Sequence, residues 1–550
     1  MATALRRPGS TLSRDGLGLI KLLDVNQRRY RIQGESGYST YYGDDQRRNP
    51  PLTYIGDAIN TMTDFCATYP SDQKSPEYRS GRETQATVGI VGLCIIYTAL
   101  LLTNFTLDFS AAEPLGLLFN DMAVRMLHWD FTISPSIVRE EAFLRDGDTY
   151  TYFGIFPALL RLPAIAVGIP NLSLSRLSCW TALSISAMAQ ASILLALYRA
   201  SRVDALYLLV IGLLAVLLTG PQLQLTFSSY VYNEPITWGG AFIMLYIHSA
   251  IGPFLAASAR SNGGWIWLGV LTGLAFLSRA TDGLAIGVGV AVLVLLEPTT
   301  RGLPRVICMT RMALLSGSGM LVFVLAGLLV NAYRWGNPFE FMPERLASQF
   351  LASPHRMAVL LEYGDFNLLH VPLTIIYYFF GAFGPKFIYS AYDKFADGVS
   401  YPRSLLILTS SVTLLLTVIG FRTWASSIVR CTALPRKISI AVTAPIITAF
   451  VLIFSILLLS YMNYRYRYAF QPLFCVGTAS GLYVVSGMAL SKRRKLTWIL
   501  GLVLAFNVAV SHLDLLQSKF SSFAVSPADK TRLINLTWPM PRLFNVERTE

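Results

Sequence analysis

Charged side chains set against long apolar runs are the residues that invite a chemical reading of this chain. Just past the first apolar segment, Thr87 to Leu107, stand Glu113 and Asp121. Asp121 lies in Asn120-Asp-Met-Ala-Val-Arg-Met-Leu-His, whose spacing predicts a helix with Asp121, Arg125 and His128 about one turn apart on one face. A carboxylate so close to hydrocarbon needs a reason. It can take the proton from a hydroxyl that has to become a nucleophile, or it can simply pair with Arg125 at i+4. Farther along, Glu234 precedes Pro235 at a helix start, Arg279 and Asp282 stand three apart, and Arg465 and Arg467 alternate with tyrosines in Tyr464-Arg-Tyr-Arg-Tyr. Each has a plainer role as well: Glu234 reaching water at a span end, Arg279 with Asp282 as an ion pair in a short turn, and the two arginines as interfacial anchors. Arginine grips an anion with a two-pronged donor set. A pair of them on the face that topology normally keeps poor in positive charge therefore implies a specific anionic partner. Arg334 and the pair His355/Arg356 are lesser candidates of the same kind.

The elements that must hold these residues are membrane spans. The chain has 550 residues, 53% of them hydrophobic and 14% charged, with a mean hydropathy of +0.49. Its apolar runs are long enough for a hydrocarbon core of about 30 Å. They predict an all-α, polytopic transmembrane helix bundle of about 11 spans. The spans fall near 87–107, 178–198, 204–220, 236–257, 264–278, 283–297, 312–332, 404–421, 438–460, 468–490 and 496–512. With the amino terminus in the cytoplasm, every short basic connection (Arg199/Arg202, Arg260, Arg301/Arg305/Arg311, Arg422/Arg430/Arg436/Lys437 and Lys492 to Lys495) falls on the cytoplasmic side. That orientation sends two long loops outward, a large first extracytoplasmic loop at 108–177 and a second at 333–403, together with a carboxy-terminal tail at 513–550. Long loops in a compact protein usually carry function. Tyr152 to Val167 and His370 to Phe383 are short and rich in proline or aromatics, and are expected as surface helices, the plainer alternative being that either is a true span, since the pair together would preserve the orientation of the rest. Residues 1–86 carry 12 Lys/Arg against 10 Asp/Glu with no apolar stretch, which predicts a poorly ordered cytoplasmic tail and an uncleaved first span. The formal charge of +13 resides largely in short loops, where topology accounts for it, so nucleic acid is excluded as a partner. Six scattered cysteines without a CxxC pair and five dispersed histidines predict no disulfide framework and no side-chain metal site. The expected location is a multi-pass position in a bacterial inner membrane.

In order and placement these stretches resemble the membrane glycosyltransferases of the GT-C superfamily, the group that includes protein O-mannosyltransferases and lipid A aminoarabinose transferases. The likeness is carried by the loop from Glu113 through Asp121, the element Arg161-Leu-Pro, and the span entry Leu172-Ser-Leu-Ser-Arg176. It continues in Val231-Tyr-Asn-Glu234-Pro, Gly273-Leu-Ala-Phe-Leu-Ser-Arg279-Ala-Thr-Asp282 and Tyr464-Arg-Tyr-Arg467-Tyr-Ala-Phe-Gln-Pro, and it covers most of residues 87–512. The resemblance implies a polyprenyl-phosphate-linked sugar donor arriving through membrane lipid, and a glycan, lipid or protein acceptor whose hydroxyl is activated by an acidic residue. That residue is Asp121, or else Glu113. Glu234, Arg279, Asp282, Arg465 and Arg467 become substrate-binding residues under the same resemblance. It allows a divalent metal without requiring one. This chain lacks the acidic pair that commonly precedes the first surface helix in such enzymes. The alternative from another class is a multispan transporter or flippase of a lipid-linked or polar substrate, which would ordinarily show paired halves; no repeat is visible here.

Overall fold

A computed structural model describes residues 80–201, 205–256, 258–297, 304–381, 396, 398–400, 404–430, 435–521 and 527–537. The chain divides into two units, Met1–Thr68 and Tyr69–Glu550, and every described residue belongs to the second. The tail expected over 1–86 therefore lies outside the described residues up to position 79, as do Arg202, Arg301 and the tail beyond 537.

The second unit is an all-α, polytopic helix bundle. Eight of its helices are long and apolar enough to cross a membrane: Gly81–Leu102, Ser175–Ala200, Asn233–Ala256, Arg305–Trp335, Ser411–Val429, Lys437–Leu457, Tyr464–Ser486 and Leu490–Phe520. Each overlaps an expected span, the poorest match being Ser411–Val429, which begins seven residues after the expected 404–421 and takes in Arg422, expected in the connection that follows. Two more expected spans are 17-residue helices, Asn262–Ser278 and Ala280–Leu296. The remaining one, 204–220, is not a single rod. It forms Leu206–Leu217 and Gly220–Phe227, bent by 44° at the break. Gly220 supplies a positive φ of 59° at the bend, and Pro221 follows at the first helical turn, where a missing N–H costs nothing.

Small residues set the closest helix contacts. A Cβ added at Gly269 would lie 1.9 Å from the Ser316 carbonyl oxygen, and one at Gly319 would lie 2.2 Å from that of Ile266. These two glycines thus let Asn262–Ser278 and Arg305–Trp335 touch backbone to backbone, the usual solution where lipid offers no hydrophobic drive for association. Helix Arg305–Trp335 is otherwise little buried, with Val306, Leu314, Val322 and Leu325 exposed along it, a surface suited to acyl chains.

The expected surface helices are short. Phe156–Leu159 and Leu162–Ala166 occupy the first stretch, and His370–Phe380 the second. Eleven residues rise about 16 Å, half of what a span needs. Phe143–Arg145 and Asp148–Tyr150 form an antiparallel hairpin across Asp146-Gly147. Both turn residues have positive φ, 54° and 91°, as a two-residue primed turn requires. Gly398–Ser400 runs parallel to Tyr461–Asn463.

Candidate functional site

One end of the bundle collects the two long loops, the carboxy-terminal helix Pro527–Thr537, and the connections around 228–233, 279 and 461–467. The loops are stitched to each other by backbone and side chain. Ser348 donates its amide to the Ala142 carbonyl at 2.9 Å and its hydroxyl to that of Glu140 at 2.8 Å. Phe143 and Tyr150 pack on Trp335, and Arg145 donates to the Arg334 carbonyl at 3.0 Å. Every non-glycine residue with positive φ among those described falls between Asn104 and Asp146. Such backbone is kept only where surrounding contacts over-determine it, and it concentrates at functional loops.

The sequence-identified acids of the first loop sit in well-satisfied surroundings. Asp121, near the start of helix Leu118–Met126, pairs with Arg125 at 3.2 Å and accepts the amide and hydroxyl of Ser134 at 2.8 and 3.0 Å. Arg125 also bonds Asp130 at 2.8 Å and Thr132 at 2.7 Å. Glu113 is buried against Arg176, whose other nitrogen holds Asp529 at 3.0 Å. Asn104 donates to that same Asp529 oxygen at 3.1 Å, and Lys519 donates to Asn104 at 2.7 Å and to the carbonyls of Leu101 and Phe227 at 2.8 and 2.9 Å. Two carboxylates and two cations thus form a charge-balanced knot among the first loop, two spanning helices and the carboxy-terminal helix. Burial raises the Glu113 pKa above the ordinary carboxylate value, against the pull of Arg176.

Glu234 is fully buried, with its carboxylate 2.8 Å from Arg161 of Arg161-Leu-Pro, and Arg161 also donates to Asn120 at 3.3 Å. Asn120 in turn holds the carbonyls of Pro170 and Leu172 at 2.6 and 2.9 Å, so this chain of contacts runs from the surface helices to a spanning helix. Arg279 and Asp282 stand 3.8 Å apart. Asp282 is buried rather than in a solvent turn, because it points at the Gly239-Gly240 pair, where a Cβ on Gly239 would lie only 1.8 Å from its carboxylate. Arg334 is also buried, donating to the Phe153 carbonyl at 2.9 Å. Arg356 lies 6.0 Å from the Tyr461 ring and donates to Gln349 at 3.0 Å.

Arg465 and Arg467 face different surroundings. Arg465 is fixed by the Asn463 side chain at 3.1 Å and lies over the Tyr232 ring at 4.1 Å. Arg467 is fully buried, and none of its three guanidinium nitrogens has a hydrogen-bond partner among the described residues. Its polar neighbours are Tyr377, Tyr378 and Asp514, and Arg279 approaches the same Tyr378. An isolated cation in such a place is costly unless an anion joins it.

Glu141 went unnoticed in the sequence reading although it lies within the first loop. It is half-buried, accepts from Gln349 of the second loop at 2.6 Å, and lies within the electrostatic reach of Arg465 and Arg356. Burial raises its pKa, partly offset by that hydrogen bond and those two charges. The signal available was Glu140-Glu141 placed just before the Asp146-Gly147 turn and its aromatic cluster. Among the described residues no three His, Cys, Asp or Glu side chains gather as a metal would need.

No family model matches the chain, and no curated protein matches it. Among solved structures it is similar to the crystal structure of the Archaeoglobus fulgidus oligosaccharyltransferase in the apo form, at 12% sequence identity and a TM-score of 0.43. That likeness covers 86% of this chain and 62% of the length of the archaeal protein. At such a level it assigns neither family nor activity.

Proposed function

We propose that the chain is a membrane glycosyltransferase that moves a sugar from a polyprenyl-phosphate-type donor to an acceptor hydroxyl at the loop-bearing end, with that end outside the cytoplasm. The observation that carries this reading is Arg467, a buried guanidinium with no partner for its donors. A carrier phosphate, joined in part by Arg279, would balance it with charge-assisted hydrogen bonds. An apolar cavity of about 300 Å³, lined by Met126, Trp129, Phe131, Leu277, Phe323 and Val330, offers the hydrocarbon chain a berth beside the first loop. The resemblance of the sequence stretches to GT-C enzymes points the same way.

In the reaction the acceptor hydroxyl oxygen bonds to the anomeric carbon while the anomeric C–O bond to the carrier phosphate breaks, its electron pair leaving with the phosphate. The hydroxyl proton passes to a first-loop carboxylate, Asp121 or Glu113. Fixed positive charge at Arg467 stabilises the departing phosphate, which gains charge only as the bond breaks. Glu234 and Asp282 hold Arg161 and Arg279 in place for this end of the bundle.

The test is release of polyprenyl phosphate from synthetic polyprenyl-phosphate monosaccharides by the full chain in lipid nanodiscs. Wild type should release carrier, Arg467→Ala should slow release by about 100-fold or more, as for loss of a charged transition-state donor, and Arg467→Lys should recover part of it. Asp121→Asn and Glu113→Gln identify the proton acceptor. No release from any donor, or Arg467→Ala equal to wild type, ends the proposal. Movement of intact donor across the bilayer without release would indicate the flippase alternative.

A further inference from the structure

The rings around Arg465 come from separate stretches of the chain, and none of them is fully buried. Tyr230 and Tyr232 precede helix Asn233–Ala256, Tyr152 belongs to the first loop, and Tyr461 and Tyr466 flank Arg465 in its own segment; all five are half-buried. Tyr232 lies under the guanidinium, and Tyr230 tilts against Tyr232 with ring centroids 4.9 Å apart. Glu141 joins this cluster through Gln349, which donates to its carboxylate and accepts from Arg356, itself 6.0 Å from the Tyr461 ring. Its Oε1 accepts from Gln349, and Oε2 accepts no hydrogen bond among the described residues.

Glu141 is also held from two directions. Arg139, two residues earlier, has a φ of 52° and a ψ of −122°, and Ser348 of the second loop clamps the carbonyls on either side of Glu141, those of Glu140 and Ala142. A strained backbone pinned by a second loop fixes where the carboxylate points. Tyr152, Tyr230, Tyr232 and Tyr466 pack against the core on one side and keep surface on the other. Here ring surface and one carboxylate oxygen are both left over.

We propose that Glu141, Arg465, Tyr230 and Tyr232 form a binding site for a pyranose ring at the junction of the two long loops. A pyranose presents an apolar C–H face and a rim of hydroxyls. The face packs on a tyrosine ring, whose large apolar area and two side-chain torsions give contact at low entropic cost. Adjacent hydroxyls donate to the carboxylate of Glu141 and accept from the guanidinium of Arg465, which fixes the orientation of the ring. The site deepens the transferase reading and rests on it for the origin of the sugar. Donor sugar and acceptor glycan share the same chemistry.

The experiment is saturation-transfer NMR on the full chain in nanodiscs, with methyl α-D-mannopyranoside, methyl β-D-glucopyranoside and methyl N-acetyl-β-D-glucosaminide as probes. At least one should receive saturation at its ring protons. Glu141→Gln and Tyr232→Leu should each weaken that binding about tenfold, as expected for losing a hydrogen bond to a charged group or a stacking surface. Tyr232→Phe should retain most of it, and Arg345→Ala, a surface control, all of it. Melting curves of each variant exclude unfolding as the cause. Adding farnesyl phosphate mannose separates the sources: displacement of the probe identifies the donor sugar, and simultaneous binding identifies an acceptor glycan. No saturation of any probe, or full saturation in both Glu141→Gln and Tyr232→Leu, overturns the site. Carrier release measured on the same samples keeps the two proposals apart. Pyranoside binding without carrier release removes the transferase and leaves the site, whereas carrier release without pyranoside binding does the reverse.

Discussion

At the residue scale the deciding contrast is between charges that are matched and one that is not. Glu234 and Arg161 form a buried pair 2.8 Å apart with 0% and 1% side-chain exposure. Removing one member of such a pair leaves the other charge stranded, at a cost of about 3–5 kcal/mol. Glu234→Ala should therefore lower the thermal midpoint of the detergent-solubilised protein sharply, and the double variant Glu234→Leu/Arg161→Met should recover much of the loss. A single variant as stable as wild type would show that water reaches the pair. Arg467 behaves in the opposite sense: its guanidinium makes no hydrogen bond among the described residues and its neighbour Asp514 is held by Gln224, so its replacement should leave the fold intact and affect only what an anion would do there. Sequence alone separated these cases poorly. Glu234, Asp121, Arg465 and Arg467 were all legible as charges at span ends; the Asp121–Arg125 pair followed from i+4 spacing, but the pairing of Glu234 depends on Arg161, 73 positions away. Glu141 was missed for that same reason, since its significance comes from Gln349, 208 positions away.

At the scale of elements, hydropathy carried most of the information. The expected span 178–198 is the helix Ser175–Ala200 and 438–460 is Lys437–Leu457, because in a bilayer every backbone polar group must be satisfied within its own helix and apolar length translates directly into span length. The bend after Leu217 was not legible, since apolar character continues across it while the backbone does not. Close packing of Asn262–Ser278 on Arg305–Trp335 was invisible to hydropathy as well, although it relies on Gly269 and Gly319. Gly319→Leu should force those backbones apart, costing about 1–3 kcal/mol through overpacking. Its measure is the guanidinium-free thermal midpoint in detergent, with Gly317→Leu as the control, because a Cβ at Gly317 meets nothing within 4 Å. Equal effects of the two substitutions would rule out the proposed contact.

At the scale of the whole molecule, the first loop is held to the carboxy-terminal helix by the Glu113–Arg176–Asp529 and Lys519–Asn104 contacts, and to the second loop by the Ser348 and Gln349 hydrogen bonds, so that the three form a layer at one end of the bundle. Breaking that knot at its most accessible member should loosen the layer and leave the spans in place. Asp529→Ala is expected to speed amide hydrogen exchange across Thr103–Gly116 by about ten- to a hundredfold, the equivalent of a charge-assisted hydrogen bond of about 1.5–3 kcal/mol. Unchanged exchange there, or faster exchange throughout the spanning helices, would mean the knot does not act locally.

The knot also dictates an order of events during synthesis. Arg176 and Asp529 are 353 residues apart, so at about 5–20 residues per second the ribosome needs roughly 20–70 s to deliver the second after the first. Through that interval Arg176 and Glu113 have only each other, their last partner being still unmade. The loop that carries most of the acidic candidates therefore completes its surroundings only when nearly the whole chain has emerged. A nascent chain halted among the later spans would have its earlier helices formed and yet keep the first loop open at that end of the bundle.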